Sequence, residues 1–151
     1  MKLYFLRHGK ADWPDWIGDD DERPLTEAGR KEVRRVAKFL REIGASPQLI
    51  LSSPLPRAAQ TAQIAHKYLG GELIEEVMLS PLVMPRGIRA LLKHYDADEV
   101  MLVGHEPDFS TAIRAFCGGR VKMAKAGAAR VDLDEDGKGR LIWLLPPKAA
   151  R

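Results

Sequence analysis

Two arginines and two histidines follow apolar segments of this chain, each near the point where a β-strand would end. The four residues are Arg7 and His8 after residues 2–6, Arg57 after residues 48–51, and His105 after residues 99–103. In open α/β sheets, ligands bind just beyond the carboxyl ends of the strands. We therefore expect the four side chains to meet in one crevice. Two guanidinium groups and two imidazoles make a set that suits a phosphoryl group.

These four side chains would act on a phosphoryl group in different ways. Guanidinium groups bind phosphate oxygens as bidentate forks, so Arg7 and Arg57 are expected to hold the group. A neutral imidazole nitrogen can attack phosphorus in line and carry the group covalently, and we assign this role to His8. His105 would donate hydrogen bonds to the oxygens in the transition state. Because the arginines and an imidazolium supply positive charge, we expect no metal ion and no other cofactor.

Alternating helix and strand patterns predict the elements that position these residues. Thr26 is typical of a helix N-cap, and apolar residues then recur at helical spacing from Val33 to Leu40. Pro56 and Pro107 are each placed to open a further helix. The predicted helices lie at residues 26–44, 56–70, 88–95 and 107–116, and the predicted strands at 2–6, 48–51, 73–78, 99–103, 128–133 and 141–145.

This order of elements predicts an α/β protein with three layers, α/β/α. The sheet is expected to be mostly parallel, with helices on both faces. The last two strands flank the turn sequence 134–139 and predict an antiparallel C-terminal hairpin near one edge. Because the chain has 151 residues and no linker or internal repeat, we expect a single domain, residues 1–151.

Composition and charge exclude several classes of function. The net charge is only +3, and no dense basic block is present, which argues against nucleic acid as the partner. The single cysteine, Cys117, cannot form an internal disulfide and fits a reducing compartment. No apolar run approaches the ~20 residues that span a bilayer, and Arg7 and His8 interrupt the first one. We therefore expect a cytoplasmic protein that does not act at a membrane.

Three segments of the chain, taken together, resemble the histidine phosphatase superfamily. They are Arg-His-Gly at residues 7–9, the Ser-Pro…Arg-Ala…Gln-Thr segment at 53–61, and Gly-His at 104–105. The short length, the Arg-Pro-Leu-Thr stretch at 23–26 and the closing Trp-Leu-Leu-Pro at 143–146 are similar to its small SixA-type phosphohistidine phosphatases. The resemblance runs along nearly the whole chain, in order.

The resemblance implies a role for each of the four residues. His8 would be the phosphorylated nucleophile, and Arg7, Arg57 and His105 would form the phosphate pocket. The family's phosphoglycerate mutases carry a long helical insertion over the site, for which this chain has no room. An open cleft able to admit a protein surface is therefore implied, with phosphohistidine in a protein as the substrate and water as the final acceptor.

The sequence departs from the mutase branch at the proton donor. A glutamate after the third strand protonates the leaving oxygen there, whereas residues 79–83 of this chain hold no carboxylate. Either Glu106 supplies the proton, or no acid is needed because imidazole leaves more readily than an alkoxide does. Arg23 is a further candidate for the phosphate rim, and an ordinary ion pair with an aspartate of residues 19–21 is the alternative.

Two other functions remain open from the sequence. The same mechanism could act on a small phosphomonoester such as a sugar phosphate. A non-catalytic module that binds phosphorylated proteins would use the same arginines without turnover. Comparing activity on phosphohistidine with activity on phosphate esters separates the phosphomonoester hypothesis from the leading one. A trapped phosphoenzyme excludes the non-catalytic module.

Overall fold

The protein folds as alternating strands and helices around one sheet. The computed structural model describes residues 1–151. The regular elements are β1 (Lys2–Arg7), α1 (Glu27–Glu42), β2 (Leu49–Ser52), α2 (Pro56–Leu69), β3 (Glu72–Glu75), α3 (Pro85–Lys93), β4 (Glu99–Gly104), α4 (Asp108–Cys117), β5 (Ala128–Leu133) and β6 (Gly139–Leu145). Three short 3-10 helices lie at Asp20–Glu22, Val77–Leu79 and Pro147–Ala149. None of the helices combines the length and the apolarity needed to cross a bilayer.

The six strands form a single mixed sheet in the order β3-β2-β4-β1-β5-β6. The first four strands in this order are parallel to their neighbours. β5 pairs antiparallel with β1, and β6 pairs antiparallel with β5 at the edge. The predicted architecture, a mostly parallel sheet with an antiparallel C-terminal hairpin near one edge, is therefore confirmed.

The hydrophobic core is divided by the sheet into two layers. Side chains alternate between the faces of a strand, and β1 shows this directly. Tyr4 and Leu6 pack in the layer that contains the buried residues of α1 and α2. Leu3 and Phe5 pack in the layer that contains those of α3 and α4. Because helices cover both faces, β1 lies in the interior, and its carboxyl end is held in a fixed position.

The first helix is fixed at its amino end by the segment that follows β1. Thr26 is the N-cap, as predicted, and its hydroxyl accepts the Gly29 N–H at 3.0 Å. A β-carbon at Gly29 would lie only 2.3 Å from the Lys10 carbonyl oxygen. Only glycine allows this close approach of the two backbones. The residues directly after β1 are therefore clamped against α1.

Several predicted boundaries are wrong. The helix predicted at residues 88–95 spans Pro85–Lys93, and the last strand begins two residues earlier than predicted, at Gly139. The strand predicted at residues 73–78 spans only Glu72–Glu75, and residues 77–79 form a 3-10 helix. Its neighbour β2 ends at Ser52, whose carbonyl still accepts the Glu76 N–H, so no further backbone groups are available for pairing. Pro107 precedes α4 as its N-cap residue, and the helix itself begins at Asp108.

Candidate active site

The predicted site residues meet where the connections that follow neighbouring strands leave toward opposite faces of the sheet. β1 continues toward α1 on one face of the sheet, and β4 continues toward α4 on the other. The two strands are neighbours, so a crevice opens between their carboxyl ends, which is the usual ligand site of such sheets. The His8 N–H donates to the Gly104 carbonyl at 3.0 Å, which fixes the first residues beyond both strands relative to each other.

His8 is held in the protonation state that a nucleophile needs. Its Nδ1 lies 2.8 Å from the Gly9 carbonyl oxygen. Because a carbonyl only accepts, Nδ1 carries the proton, and the lone pair of the neutral ring is on Nε2. Burial lowers the pKa of His8 to about 3, with smaller contributions from the charges of His105, Arg57 and Arg7. The ring is therefore neutral at pH 7.

His105 lies beside His8, with 5.3 Å between the ring centroids. Its Nε2 is 2.8 Å from Ser53 Oγ, while its buried Nδ1 has no hydrogen-bond partner. Ser53 Oγ already accepts the Leu55 N–H, and its own proton has no acceptor other than His105. We therefore assign the Ser53 hydroxyl as donor to Nε2, which leaves the His105 proton on Nδ1, a buried N–H without a partner in the protein.

Positive charge in the crevice comes from arginine. Burial, together with the charges of Arg57 and Arg7, lowers the pKa of His105 to about 4, so this ring is a neutral donor at pH 7 rather than the imidazolium expected from the sequence. Arg7 Nη1 donates to the Met123 carbonyl at 2.9 Å, and its buried Nε has no partner. Burial and the charge of Arg57 lower the pKa of Arg7, and Glu106 opposes this.

Arg57 connects the start of α2 to the segment after β1. Its side chain is 12% exposed, and its Nη2 lies 3.4 Å from an Asp21 carboxylate oxygen. Its Nη1 also approaches the Asp20 carbonyl at 3.5 Å. The 3-10 helix at residues 20–22 thus lies against the guanidinium that was predicted to bind phosphate, and it forms one wall of the crevice.

Thr61 joins two of these groups, and from the sequence it stood out only as the last residue of the 53–61 motif, with no role assigned. Its side chain is fully buried. Its hydroxyl accepts the Gly9 N–H at 3.0 Å and donates to the Arg57 carbonyl at 2.7 Å. The backbone of Gly9, whose carbonyl orients His8, is therefore anchored through its N–H to the same turn of α2 that carries Arg57. The spacing of four residues between Arg57 and Thr61 was the available signal, because a threonine hydroxyl commonly bonds the carbonyl one helical turn earlier.

The side chains of Glu106 and Arg23 bond to backbone groups of neighbouring segments. Both carboxylate oxygens of Glu106 accept backbone N–H groups, Oε1 from Ser110 at 2.7 Å and Oε2 from Met123 at 3.3 Å. Arg23 donates to the carbonyls of Asp20 and Ala11, and its Nε lies 3.8 Å from the Asp20 carboxylate. The alternative ion pair of Arg23 is thus present, and the roles of both residues toward phosphate remain predictions.

Asp108 is a buried carboxyl group that the sequence did not indicate. Its Oδ2 accepts the N–H groups of Leu82 and Val83, at 2.8 and 3.2 Å. Burial raises the pKa of Asp108, and these two hydrogen bonds oppose the shift. The residue ties the segment between β3 and α3 to the first turn of α4. No local pattern could reveal this contact, because the partners are backbone groups 25 and 26 residues away.

Unpartnered polar atoms are concentrated in this crevice. Three buried side-chain nitrogen or oxygen atoms lack a hydrogen-bond partner, and two of them are Arg7 Nε and His105 Nδ1. A buried polar group left without a partner costs about 1–3 kcal/mol. Both are N–H donors suited to an oxyanion. No cluster of three or more His, Cys, Asp or Glu side chains that could hold a metal ion is present.

Comparison with known proteins identifies the family of the chain. Residues 3–80 match the family model of the histidine phosphatase superfamily, branch 1. The chain belongs to the histidine phosphatase superfamily. The chain is also similar to an uncharacterized protein of Picosynechococcus, which is 36% identical over 97% of this chain and 100% of its own length.

Within the histidine phosphatase superfamily, the chain is similar to SixA proteins. Phosphohistidine phosphatase SixA of Escherichia coli is 28% identical, over 97% of this chain and 94% of its own length. The solved structure of the protein histidine phosphatase SixA complexed with tungstate superposes with a TM-score of 0.91 at 26% identity, covering 100% of both chains. The protein is therefore a phosphatase of the SixA type, a hydrolase that acts on phosphorylated substrates.

Proposed function

We propose that this protein removes the phosphoryl group from phosphohistidine in a protein substrate, through a covalent intermediate on His8 and without a metal ion. The observation that carries the proposal is the state of His8. Its Nδ1–H is committed to the Gly9 carbonyl at 2.8 Å, and burial keeps the ring neutral by lowering its pKa to about 3. Nε2 is left as an unprotonated nucleophile, and the charges of Arg7 and Arg57 act on the ring.

The first step transfers the phosphoryl group to the enzyme. His8 Nε2 attacks phosphorus and the Nε2–P bond forms while the P–N bond to the substrate imidazole breaks. When the other nitrogen of that imidazole is already protonated, the ring leaves as a neutral group and needs no strong acid. Arg7 and Arg57 bind the phosphoryl oxygens, and the His105 Nδ1–H donates to the charge that spreads over them.

The second step returns His8 to its starting state. Water attacks phosphorus in line, the Nε2–P bond breaks, and inorganic phosphate carries away both protons of the water. The Gly9 carbonyl accepts the Nδ1–H throughout, so it stabilises the positive charge that the phosphorylated ring carries. Splitting one displacement into two in this way is the usual advantage of covalent catalysis.

The relatives support the choice of substrate. The SixA of Escherichia coli is named as a phosphohistidine phosphatase, and the structure with tungstate is of a protein histidine phosphatase. Tungstate is a tetrahedral oxyanion like phosphate, so we expect the corresponding crevice of this chain to bind phosphate. The segment 79–83 also lacks a carboxylate, which favours the more easily displaced P–N bond over a P–O ester.

Phosphate release with a metal chelator present tests the proposal. Wild type, His8→Asn and the exposed control His66→Asn are compared on a histidine-phosphorylated carrier protein and on p-nitrophenyl phosphate. We expect wild type and the control to prefer the carrier protein, and His8→Asn to be inactive. A wild-type reaction quenched with base should contain protein phosphorylated on His8. Activity that survives in His8→Asn refutes the covalent step. Equal or faster ester hydrolysis moves the substrate to small phosphomonoesters, and loss of activity with chelator refutes metal independence.

A further inference from the structure

Four large apolar side chains are exposed on the segment between β3 and α3. We call them the apolar rim: Val77, Met78, Leu82 and Met84, which are 79%, 48%, 82% and 57% exposed. They line a shallow groove of about 460 Å³, whose only charged lining residue is Arg86. Contiguous apolar surface of this kind, bordered by polar residues, commonly marks a site of interaction.

The apolar rim lies at the same edge of the sheet as the crevice of His8. The segment begins where β3 ends, and β3 runs parallel to β2 and β4, whose carboxyl ends carry Ser53 and His105. The backbone N–H groups of Leu82 and Val83 bond to Asp108, three residues after His105. The rim is therefore attached to the framework that positions the catalytic histidines.

The backbone at Leu82 indicates that its side chain is kept for a reason other than folding. Its φ is 76°, in the left-handed region, where glycine and asparagine are favoured and a larger residue is strained. Yet the leucine side chain is among the most exposed apolar groups of the protein. A residue that strains the backbone and contributes no buried surface is a candidate for function.

We propose that the apolar rim docks the protein that carries the phosphohistidine. The rim would contact an apolar surface of that protein, which lies beside its phosphohistidine and is bordered by acidic side chains. This inference rests on the proposed function. A protein seated with its phosphoryl group on His8 has to cover the neighbouring surface at this edge, whereas a small phosphomonoester does not reach it. The acidic flank follows from charge, because Arg86 in the groove makes no ion pair with this chain, nor do Arg120 and Lys122 in the loop that holds Arg7.

The double variant Leu82→Asn/Met84→Ser tests the rim without harming the fold. Asparagine suits the positive φ of residue 82. Serine at residue 84 supplies an N-cap side chain that α3 lacks. The control, Ile43→Asn/Ile142→Thr, likewise removes two exposed apolar side chains, which are 44% and 41% exposed and lie just after α1 and on β6, away from the rim.

The assay compares kcat/KM on a histidine-phosphorylated carrier protein with kcat/KM on free phosphohistidine. We expect the double variant to lose about tenfold or more on the protein, mainly through KM, as for hot-spot side chains of an interface. Its activity on free phosphohistidine should stay within about twofold of wild type. The control variant should match wild type on both substrates.

Several results would overturn the inference. If the double variant matches wild type on the carrier protein, the rim does not dock it. An equal loss on both substrates assigns the rim to the structure of the crevice instead. If sedimentation shows a wild-type dimer that the double variant abolishes, a second copy of the chain is the occupant. These results leave the proposed function intact, whereas a wild type that hydrolyses no phosphohistidine protein refutes both.

Discussion

Replacing Thr61 by valine tests whether the catalytic histidine depends on one buried hydroxyl. Valine keeps the shape of the side chain but cannot accept the Gly9 N–H, which bonds Thr61 Oγ1 at 3.0 Å. Residue 61 is fully buried, so the Gly9 N–H loses its partner away from water. The cost of a buried unsatisfied donor is about 1–3 kcal/mol. For a chain of this length, each kcal/mol lowers the Tm by about 2–4 °C.

The activity should fall by more than this loss of stability explains. The Gly9 carbonyl accepts the His8 Nδ1–H at 2.8 Å, so a displaced Gly9 peptide loosens the orientation of the nucleophile. We expect kcat for p-nitrophenyl phosphate to fall about tenfold or more at a temperature where the variant is fully folded, since small misplacements of reacting groups are costly. KM should change less.

Replacing Thr61 by serine separates the contribution of the hydroxyl from that of the methyl group. Thr61→Ser keeps both hydrogen bonds and leaves a small cavity, which costs about 1 kcal/mol. Its kcat should therefore stay near wild type although its urea midpoint is lowered. The exposed Thr111→Val serves as a further control, with an expected change within about 0.5 kcal/mol. The reasoning is refuted if Thr61→Val retains wild-type kcat, or if Thr61→Ser loses as much activity as Thr61→Val.

Four further predictions concern the side chains of the crevice. Because the His8 pKa is lowered to about 3, kcat/KM corrected for substrate ionisation should stay flat from pH 7 to 5, where a histidine of ordinary pKa would lose about thirtyfold; a fall through pH 6.5 contradicts this. Unfolding free energy should decrease by roughly 1 kcal/mol per pH unit for each of His8 and His105 as the pH falls below about 6.5, since only the unfolded chain takes up their protons; urea titrations of His8→Asn should show a shallower slope. Ser53→Ala should lower kcat about tenfold and leave phosphate affinity within a few-fold of wild type, because the His105 tautomer is no longer fixed. If Glu106 is the acid, Glu106→Gln should lower ester hydrolysis by about 100-fold or more, and phosphohistidine hydrolysis by the same variant serves as the internal comparison.

The elements that present the site were predictable because each is governed by local patterns. The runs before Arg7 and His105 are buried strands, and a buried strand appears in sequence as a short apolar segment with a break after it. The cap at Thr26 depends only on its own helix. These local signals were enough to place Arg7, His8 and His105 at one edge of a parallel sheet.

The contacts that tune the site were not predictable because they join distant segments. Thr61 meets Gly9 and Ser53 meets His105 across 52 residues in each case. The pKa of His105 depends on burial and on the nearby arginines, so its protonation state could not be judged from residue types alone. The truncated strand at residues 72–75 follows from the length of its neighbour β2, which is likewise a tertiary property.

The position of β1 within the sheet separates His8 from the exposed segment that follows β3. It lies between β4 and β5, with Leu3, Phe5 and Leu6 fully buried, so its amides should exchange with solvent only on global unfolding. The segment 77–84 instead follows β3 at the sheet edge and is largely exposed. Substitutions at the exposed positions of that segment can therefore accumulate without disturbing the strand that positions His8, so the surface beside the crevice can change while the crevice itself stays the same.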